Sequence, residues 1–352
     1  MAWSFLKGFA RKRDRIVVID LGSKVTKAVD MSRKGDTYSL NHFAMVDVPG
    51  ENPIRYPDVL ADHFRTVMNA LGSKHKKICV AIGVADSLLR HAEMPVVPMH
   101  DMRSMLKFSS KNYLQQDLSD YTFDCHILPH RAGGGNPKRG VKVRVLVGAA
   151  KRQLVDSIQE AAKKTGLTAV HVVPNFIGPA NAFELVAPED FKAEPLALVE
   201  IGQKNTSISV IYEGELALSR VVSFGAERLT QGIAEAMGID EEEAEGAKVT
   251  MPPELEAYLA AMVNPLGREL RASIDFCDHQ HDRPVSKAFF SGGSARSARI
   301  VEALQTELMI PCHQWNPAQT LQLQLPPHQL GEVEDVSPQL AVAIGAGIAA
   351  ID

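Results

Sequence analysis

The sequence predicts an α/β fold of two similar lobes facing one cleft, with a small α+β module inserted in the first lobe. Three observations carry this reading. A run of branched apolar residues ending in a carboxylate, Ile16-Val17-Val18-Ile19-Asp20, turns at Gly22-Ser23 into a return strand, where Val25, Lys27 and Val29 alternate with Thr26 and Ala28. The same order recurs about 180 residues later as Leu196–Ile201, the turn Gly202-Gln203-Lys204-Asn205-Thr206 and the strand Ser207–Tyr212, a pseudo-repeat rather than a solenoid. Between them, residues from about 86 to 166 read as strands and helices of a separate compact unit.

Composition sets the outer bounds. At 352 residues the chain exceeds what one core fills, so at least two domains are expected. A hydrophobic share of 45% with 23% charged residues is that of a globular protein, and the net charge of -4 gives no reason to expect nucleic acid. Cys79, Cys125, Cys277 and Cys312 are scattered without a C-x-x-C, which argues for a reducing cytoplasm and against a disulfide frame or zinc site. No apolar run is long enough to span a bilayer, the tail Leu340–Ile351 included, and no signal peptide is visible.

Taken in order, residues 1–15 stand apart, with Trp3, Phe5, Leu6 and Phe9 among Lys7, Arg11, Lys12, Arg13 and Arg15. They read either as a basic leader without structure or as a short amphipathic helix touching an anionic membrane or a partner. A strand follows at Tyr38–Val48 and a turn region to Pro57. A helix spans Asp58–Leu71, stopped by Gly72, and a strong strand covers Ile78–Val84. The inserted module offers a strand at Leu88–Met94, a helix at Pro98–Gln116, and strands at Tyr121–Leu128 and Val141–Ala149 around the Gly133-Gly134-Gly135 loop. Met94, Met99, Met102 and Met105 are either module core or, if exposed, adaptable partner contacts. A helix at Lys151–Thr165, a strand at Val170–Pro174 and a helix at Ile177–Leu185 lead to a boundary loop, Pro188–Pro195. After the second hairpin, Phe224-Gly225-Ala226 opens a helix ended by Gly238, and Asp240 caps another through Lys248. Leu255–Cys277 has helical spacing, started afresh or kinked at Pro265. A strand from Ala288 enters Gly292-Gly293 and the helix Ile300–Leu308, and Pro338–Ala350 is a helix of small residues. The resulting division is a leader at 1–15, a first lobe at 16–194 plus 335–352, and a second at 195–334.

The chemistry gathers at the turns. The first hairpin points Asp20 and the N–H groups of Gly22 to Lys24 at one space, an arrangement suited to an anion. Ser23 and Thr26 add hydroxyls, Lys27 a point charge for phosphate, and Asp20 a carboxylate placed for Mg²⁺ through water. Glu200 repeats the carboxylate in the second hairpin. Glu245 and Lys248 are three apart and share a helix face, which by itself reads as a surface ion pair. Gly292-Gly293 at a strand–helix junction lets a planar ring lie on the backbone.

These motifs, in this order, resemble the actin/Hsp70/sugar-kinase superfamily, whose fold is the actin-like, ribonuclease H-like one. DLGSKVTK at 20–27 resembles its first phosphate loop, EIGQKNTS at 200–207 its second, and SGGSAR at 291–296 its adenosine motif. Within it the chain is most similar to the PilM-type family of type IV pilus assembly, with the cell-division protein FtsA as a cousin. FGAERLTQGI at 224–233, EEAEGAK at 242–248, RASIDF at 271–276, NP at 316–317 and AVAIGAG at 341–347 extend the likeness over nearly the whole chain. The resemblance implies ATP with Mg²⁺ between the lobes. Asp20 and Glu200 would face Mg²⁺, and Ser23, Lys24 and Lys27 the β- and γ-phosphates. Gly202, Asn205 and Thr206 would close the second loop, and Gly225 would also bind the nucleotide. Glu245 and Lys248 would reach the ribose, and Gly292, Gly293, Ser294 and Arg296 the adenine, with the Arg296 guanidinium stacked on it.

Two departures stand out: Glu200 occupies a position that usually carries Asp, and Gln203-Lys204 stand where small residues usually follow. Lys204 either binds phosphate or fills the pocket, and no residue is placed to position an attacking water, so slow or absent hydrolysis is expected. The resemblance implies a cytoplasmic scaffold at the inner membrane that docks the N-terminal peptide of a PilN-like bitopic protein, with the inserted module involved. Self-association is left open. The alternatives are an ATPase or small-molecule kinase of the superfamily, which would need an Asp base not visible here, or an FtsA-like protein, which would need a C-terminal membrane helix not visible either.

Overall fold

The computed structural model describes residues 14–50, 56–128 and 142–351. The leader up to residue 13 and the Gly133-Gly134-Gly135 loop lie outside the described residues.

The first lobe is built on a six-stranded sheet. Its strands are β1 (Arg15–Leu21), β2 (Val25–Lys34), β3 (Thr37–Asp47), β4 (Lys77–Ile82), β8 (Thr168–Pro174) and the short β14 (Gln322–Leu323), in the order β14-β3-β2-β1-β4-β8. β1, β2 and β3 form an antiparallel meander, while β4 and β8 run parallel to β1. The unbroken apolar run of β1 has a plain cause: both faces are covered. Val17, Ile19 and Leu21 pack under helices α1 (Pro57–Leu71) and α3 (Arg152–Lys164), whereas Ile16 and Val18 pack against α4 (Ile177–Val186) and α12 (Ala341–Ile351). The small residues of α12 serve close packing on α4: a Cβ on Gly345 would lie 1.7 Å from the Gly178 carbonyl oxygen.

The inserted module holds β5 (Ser87–Pro95), α2 (Met99–Leu114), β6 (Tyr121–Ile127) and β7 (Lys142–Lys151), an antiparallel sheet in the order β5-β7-β6 with α2 against it. The methionines resolve as core. Met94 and Met102 are fully buried, and Met99 and Met105 pack against the same cluster.

The second lobe repeats the first. Its sheet is β11 (Glu215–Val222), β10 (Thr206–Tyr212), β9 (Leu196–Ile201), β12 (Lys287–Gly292) and β13 (Cys312–Gln314), in that order. Here too a meander is extended by parallel strands beyond its first member, so β11-β10-β9-β12-β13 answers to β3-β2-β1-β4-β8. Around it lie α5 (Pro188–Ala193), α6 (Ala226–Met237), α7 (Glu241–Thr250), α8 (Glu256–Asp278) and α9 (Ala298–Leu308), with α10 (Pro327–Leu330) and α11 (Val333–Val336) further on.

Three local expectations change. The expected loop at Pro188–Pro195 is mostly α5, started by Pro188 at its first position and anchored by the buried Phe191. No second helix starts at Pro265: α8 continues through it, because Leu259, Val263, Leu266, Leu270 and Ile274 keep a single face buried on either side. The chain also returns to the first sheet earlier than residue 335: β14 pairs with β3, and Leu321, Leu325 and Val333 join the first lobe's core. The module meets the second lobe as well, through Arg144 and Glu215 at 2.9 Å and through His91 Nε2, which donates to the Leu216 carbonyl at 2.9 Å.

Candidate functional site

The two hairpin turns carry carboxylates that share one lysine. Asp20, at the end of β1, is 4% exposed, with Lys27 Nζ 3.6 Å from its Oδ2. Burial pushes the Asp20 carboxyl upward, opposed by the charge and hydrogen bond of Lys27. Glu200, at the end of β9, is partly accessible along its chain, but its carboxyl lies deep and accepts from the Ser291 hydroxyl of β12. Burial pushes it up to about 7; the Ser291 bond and the nearby Lys27 pull it down, and Asp20 pushes it further up.

Ser23 and Lys24 are exposed at the first turn, where Gly22 N–H donates to the Asp20 carbonyl at 3.0 Å. Lys24 reaches the second lobe, with its Nζ 3.4 Å from Glu245 Oε2. Glu245 is the centre of a small network: Lys248 Nζ lies 2.6 Å from its Oε1, and the Thr230 hydroxyl lies 2.9 Å from its Oε2 and accepts from Lys248 at 3.0 Å. Burial pushes the Glu245 carboxyl up, but Lys248, Thr230 and Lys24 together outweigh it and hold the group below the usual range. Burial lowers the Lys248 ammonium, against the pull of Glu245.

Not every expected residue faces the open site. The Thr26 hydroxyl is fully buried and bonded to His63 Nε2 at 2.8 Å, inside the first lobe. Thr206 is likewise buried, donating to the Phe224 carbonyl at 2.7 Å. Lys248 is 1% exposed, so it orients Glu245 from behind instead of reaching outward. Gly202, Gln203 and Asn205 form the second turn, with Gly202 N–H donating to the Asn205 carbonyl at 3.0 Å. Gly225 precedes α6, whose first amides bond that turn: Ala226 to the Gly202 carbonyl at 2.8 Å and Glu227 to the Gln203 carbonyl at 2.9 Å. Gly292 has φ +94°, and a Cβ there would lie 2.3 Å from the Ile201 carbonyl oxygen, so the β12 end sits flush against β9. Beyond it Gly293 and Arg296 are partly accessible, and the buried Ser294 and Ser297 hydroxyls have no hydrogen-bond partner. His63 carries no motif, and Thr230 and Ser291 lie inside the quoted stretches 224–233 and 291–296 without having been given a role; all three act through side chains from other elements.

These residues fit a nucleotide. Unpartnered buried hydroxyls beside a glycine junction suit a base or sugar edge, and two deep carboxylates suit a hydrated cation. Among the described residues no group of three or more His, Cys, Asp or Glu could hold a metal, so any metal there would draw its remaining ligands from water and phosphate.

A second concavity of about 320 Å³ lies between the module and the first lobe. β6 contributes Thr122 and Phe123, β8 contributes Ala169 to Pro174, and Ile177, Asn181 and Ala349 form its floor. Both β6 and β8 are edge strands of their sheets. The groove is mostly apolar, and the buried Asn181 Oδ1 in it has no hydrogen-bond partner. Among the described residues, no helix is long and apolar enough to cross a membrane.

Comparison with solved structures places the fold in the actin-like class. MreB 5 of Spiroplasma citri, bound to AMPPNP, superposes with a TM-score of 0.50 at 11% identity, covering 96% of each chain. The ethanolamine utilization protein EutJ from Carboxydothermus hydrogenoformans gives 0.50 at 15% identity, over 94% of this chain and 88% of that one. The PilM–PilN type IV pilus biogenesis complex matches far better, with a TM-score of 0.82 at 19% identity, over 97% of this chain and all of that one. Residues 18–350 match the sequence model of type IV pilus assembly protein PilM, and the chain belongs to that family.

Proposed function

We propose that the protein is a nucleotide-binding scaffold of type IV pilus assembly, and that its output is capture of a peptide in the groove between the module and the first lobe. The peptide is the N-terminal tail of a PilN-like bitopic membrane protein, which holds the scaffold at the cytoplasmic face of the inner membrane. The observation that carries this is the pairing of edges: β6 and β8 each leave one row of backbone donors and acceptors beside the same apolar groove. An extended chain laid there gains strand hydrogen bonds on its flanks and apolar anchoring from Phe123, Val170 and Ile177. The structure of the PilM–PilN complex, the best match named above, supports the choice of partner.

In this reading ATP with Mg²⁺ occupies the cleft. Asp20 and Glu200 hold the hydrated metal, which neutralises phosphate charge when bound. Ser23, Lys24 and Lys27 take the phosphates, Glu245 the ribose hydroxyls, and Ser294 and Arg296 the base. Gly202 and Asn205 shape the second turn, while Lys248, Thr26 and Thr206 position their neighbours. In this reading the chain divides into a basic leader at 1–15, a first lobe from 16 to 194 with its inserted module at about 86–166, and a second lobe from 195, with the return to the first lobe at β14.

The test is binding of a labelled peptide copying the N-terminal tail of a PilN-like protein. Wild-type protein should bind; Ala169→Arg, which puts a charge into the groove from a partly accessible site on β8, should bind at least tenfold more weakly with an unchanged melting curve. Equal binding by both would refute the groove. Calorimetry with Mg·ATP tests the cleft separately: Asp20→Ala and Arg296→Ala should each weaken the binding of the wild type, and no heat from the wild type would refute that half.

A further inference from the structure

We propose that one end of the first-lobe sheet is a cationic platform that lies on an anionic bilayer surface. Strand register brings its parts together. β1, β4 and β8 run parallel with Val17 beside Ile78 and Ile78 beside Ala169, so Arg15, Lys77 and Thr168 start their strands at one end. β2 runs the other way and pairs Ser32 with Arg15, which carries Arg33 and Lys34 to the same end. Lys74 and Lys76 lie in the loop that feeds β4, and Thr168 N–H donates to the Lys76 carbonyl at 2.8 Å.

One buried carboxylate locks these segments. Asp30 accepts two bonds from Arg15, at 2.9 and 2.7 Å, and one from Ser73 at 2.5 Å at the root of the lysine loop. Lys34, Lys74, Lys76 and Lys77 are all exposed, and none has an ion-pair partner among the described residues. Arg15 is neutralised by Asp30 and Arg33 by Asp36 at 3.5 Å, leaving four ammonium groups without an ion-pair partner at this end, opposed there by the exposed carboxylate of Asp14.

The choice of a bilayer over a polyanion chain rests on what joins this end. Residues 1–13 connect directly to Asp14 and interleave four cations with Trp3, Phe5, Leu6 and Phe9. Cations alternating with bulky apolar groups match a headgroup layer over acyl chains, whereas nucleic acid gives Leu and Phe nothing comparable. If the groove takes a membrane protein's tail, as proposed above, that tail enters beside β8 from the bilayer side. The platform itself does not depend on that reading.

The experiment is vesicle co-sedimentation of the full chain, with phosphatidylglycerol in phosphatidylcholine against phosphatidylcholine alone. Wild type should pellet only with the anionic vesicles, and less as salt rises. The K34Q/K74Q/K76Q/K77Q variant, leader intact, should bind roughly hundredfold or more weakly, from about fivefold per charge. K107Q/K192Q, which neutralises exposed lysines elsewhere, should bind as wild type. Deleting residues 2–13 should weaken binding but leave a salt-sensitive remainder. Should the fourfold variant lose its melting transition, K74Q/K76Q carries the test at about twenty-five-fold. The proposal fails if wild type ignores anionic lipid, if the lysine variants pellet like wild type, if K107Q/K192Q loses as much, or if duplex DNA displaces the protein from the vesicles.

Discussion

Glu200→Gln should stabilise the protein at alkaline pH and leave it nearly unchanged at acid pH. The Glu200 carboxyl is pushed from 4.5 up to about 7, with burial as the largest cause. A raised carboxyl pKa means the folded state holds a proton that the unfolded chain has lost. Stability is therefore full below pH 4.5, falls as pH rises through 7, and is flat above. Taken whole, a shift of this size corresponds to about 3 kcal/mol. Glu200 is partly accessible from the cleft, and water there screens part of the penalty, so about 1–2 kcal/mol is the sounder expectation. The amide is isosteric, can still accept from Ser291, and carries no charge at any pH. The assay is urea unfolding of both proteins at a series of pH values without nucleotide. The wild-type deficit should open between pH 4.5 and 7 and then stay constant. A difference that does not vary with pH would refute the burial argument, and a deficit that grows toward acid would reverse its sign.

Three further outcomes follow from the geometry. Gly292→Ala should cost at least about 2–3 kcal/mol in denaturant unfolding, because its φ of +94° and the Ile201 carbonyl 2.3 Å from any Cβ leave no relaxed conformation. Asp30→Asn should cost roughly 3 kcal/mol at neutral pH. Burial pushes the Asp30 carboxyl up, but Arg15, Ser73 and Asn41 outweigh it and hold it low, so wild type should lose this advantage as pH falls through the carboxylate range and converge on the variant in acid melts. Lys248→Met should cost about 1–2 kcal/mol, since Glu245 is partly open to water, and should weaken nucleotide binding in calorimetry; unchanged binding would remove Lys248 from its positioning role.

Much of the fold was legible because it is written in local patterns. The uniform apolar run of β1 told of a strand covered on both faces, and its echo in β9 told of a second sheet with the same strand order. Short irregular segments were not legible. α5 hides behind a proline-rich stretch that reads as a linker, and only the buried Phe191 decides otherwise. β14 is two residues long and owes its existence to β3, some 280 positions away in the chain, a distance over which no periodicity carries. Pro265 suggested a break because a proline removes one helical hydrogen bond; the packing of Leu259 through Ile274 keeps the helix whole.

The site was legible as a set of loops but not as a set of exposed atoms. Thr26, Thr206 and Lys248 are the polar residues a sequence offers for ligand contact, and all three are spent on neighbours: His63, the Phe224 carbonyl, and Glu245 with Thr230. The two turns are also unequal. Ser23 and Lys24 are exposed at the first, whereas the second has its Gly202 and Gln203 carbonyls taken by the opening amides of α6. Those amides would otherwise be a helix terminus free to meet phosphate. In the proposed cleft the phosphates are thus gripped from the first lobe, while Glu200, Glu245, Ser294 and Arg296 of the second take the metal, ribose and base, and Lys24 already spans the lobes to Glu245 at 3.4 Å. Phosphates held from one side fit the slow or absent hydrolysis expected from the sequence, in keeping with the scaffold role and the groove proposed above.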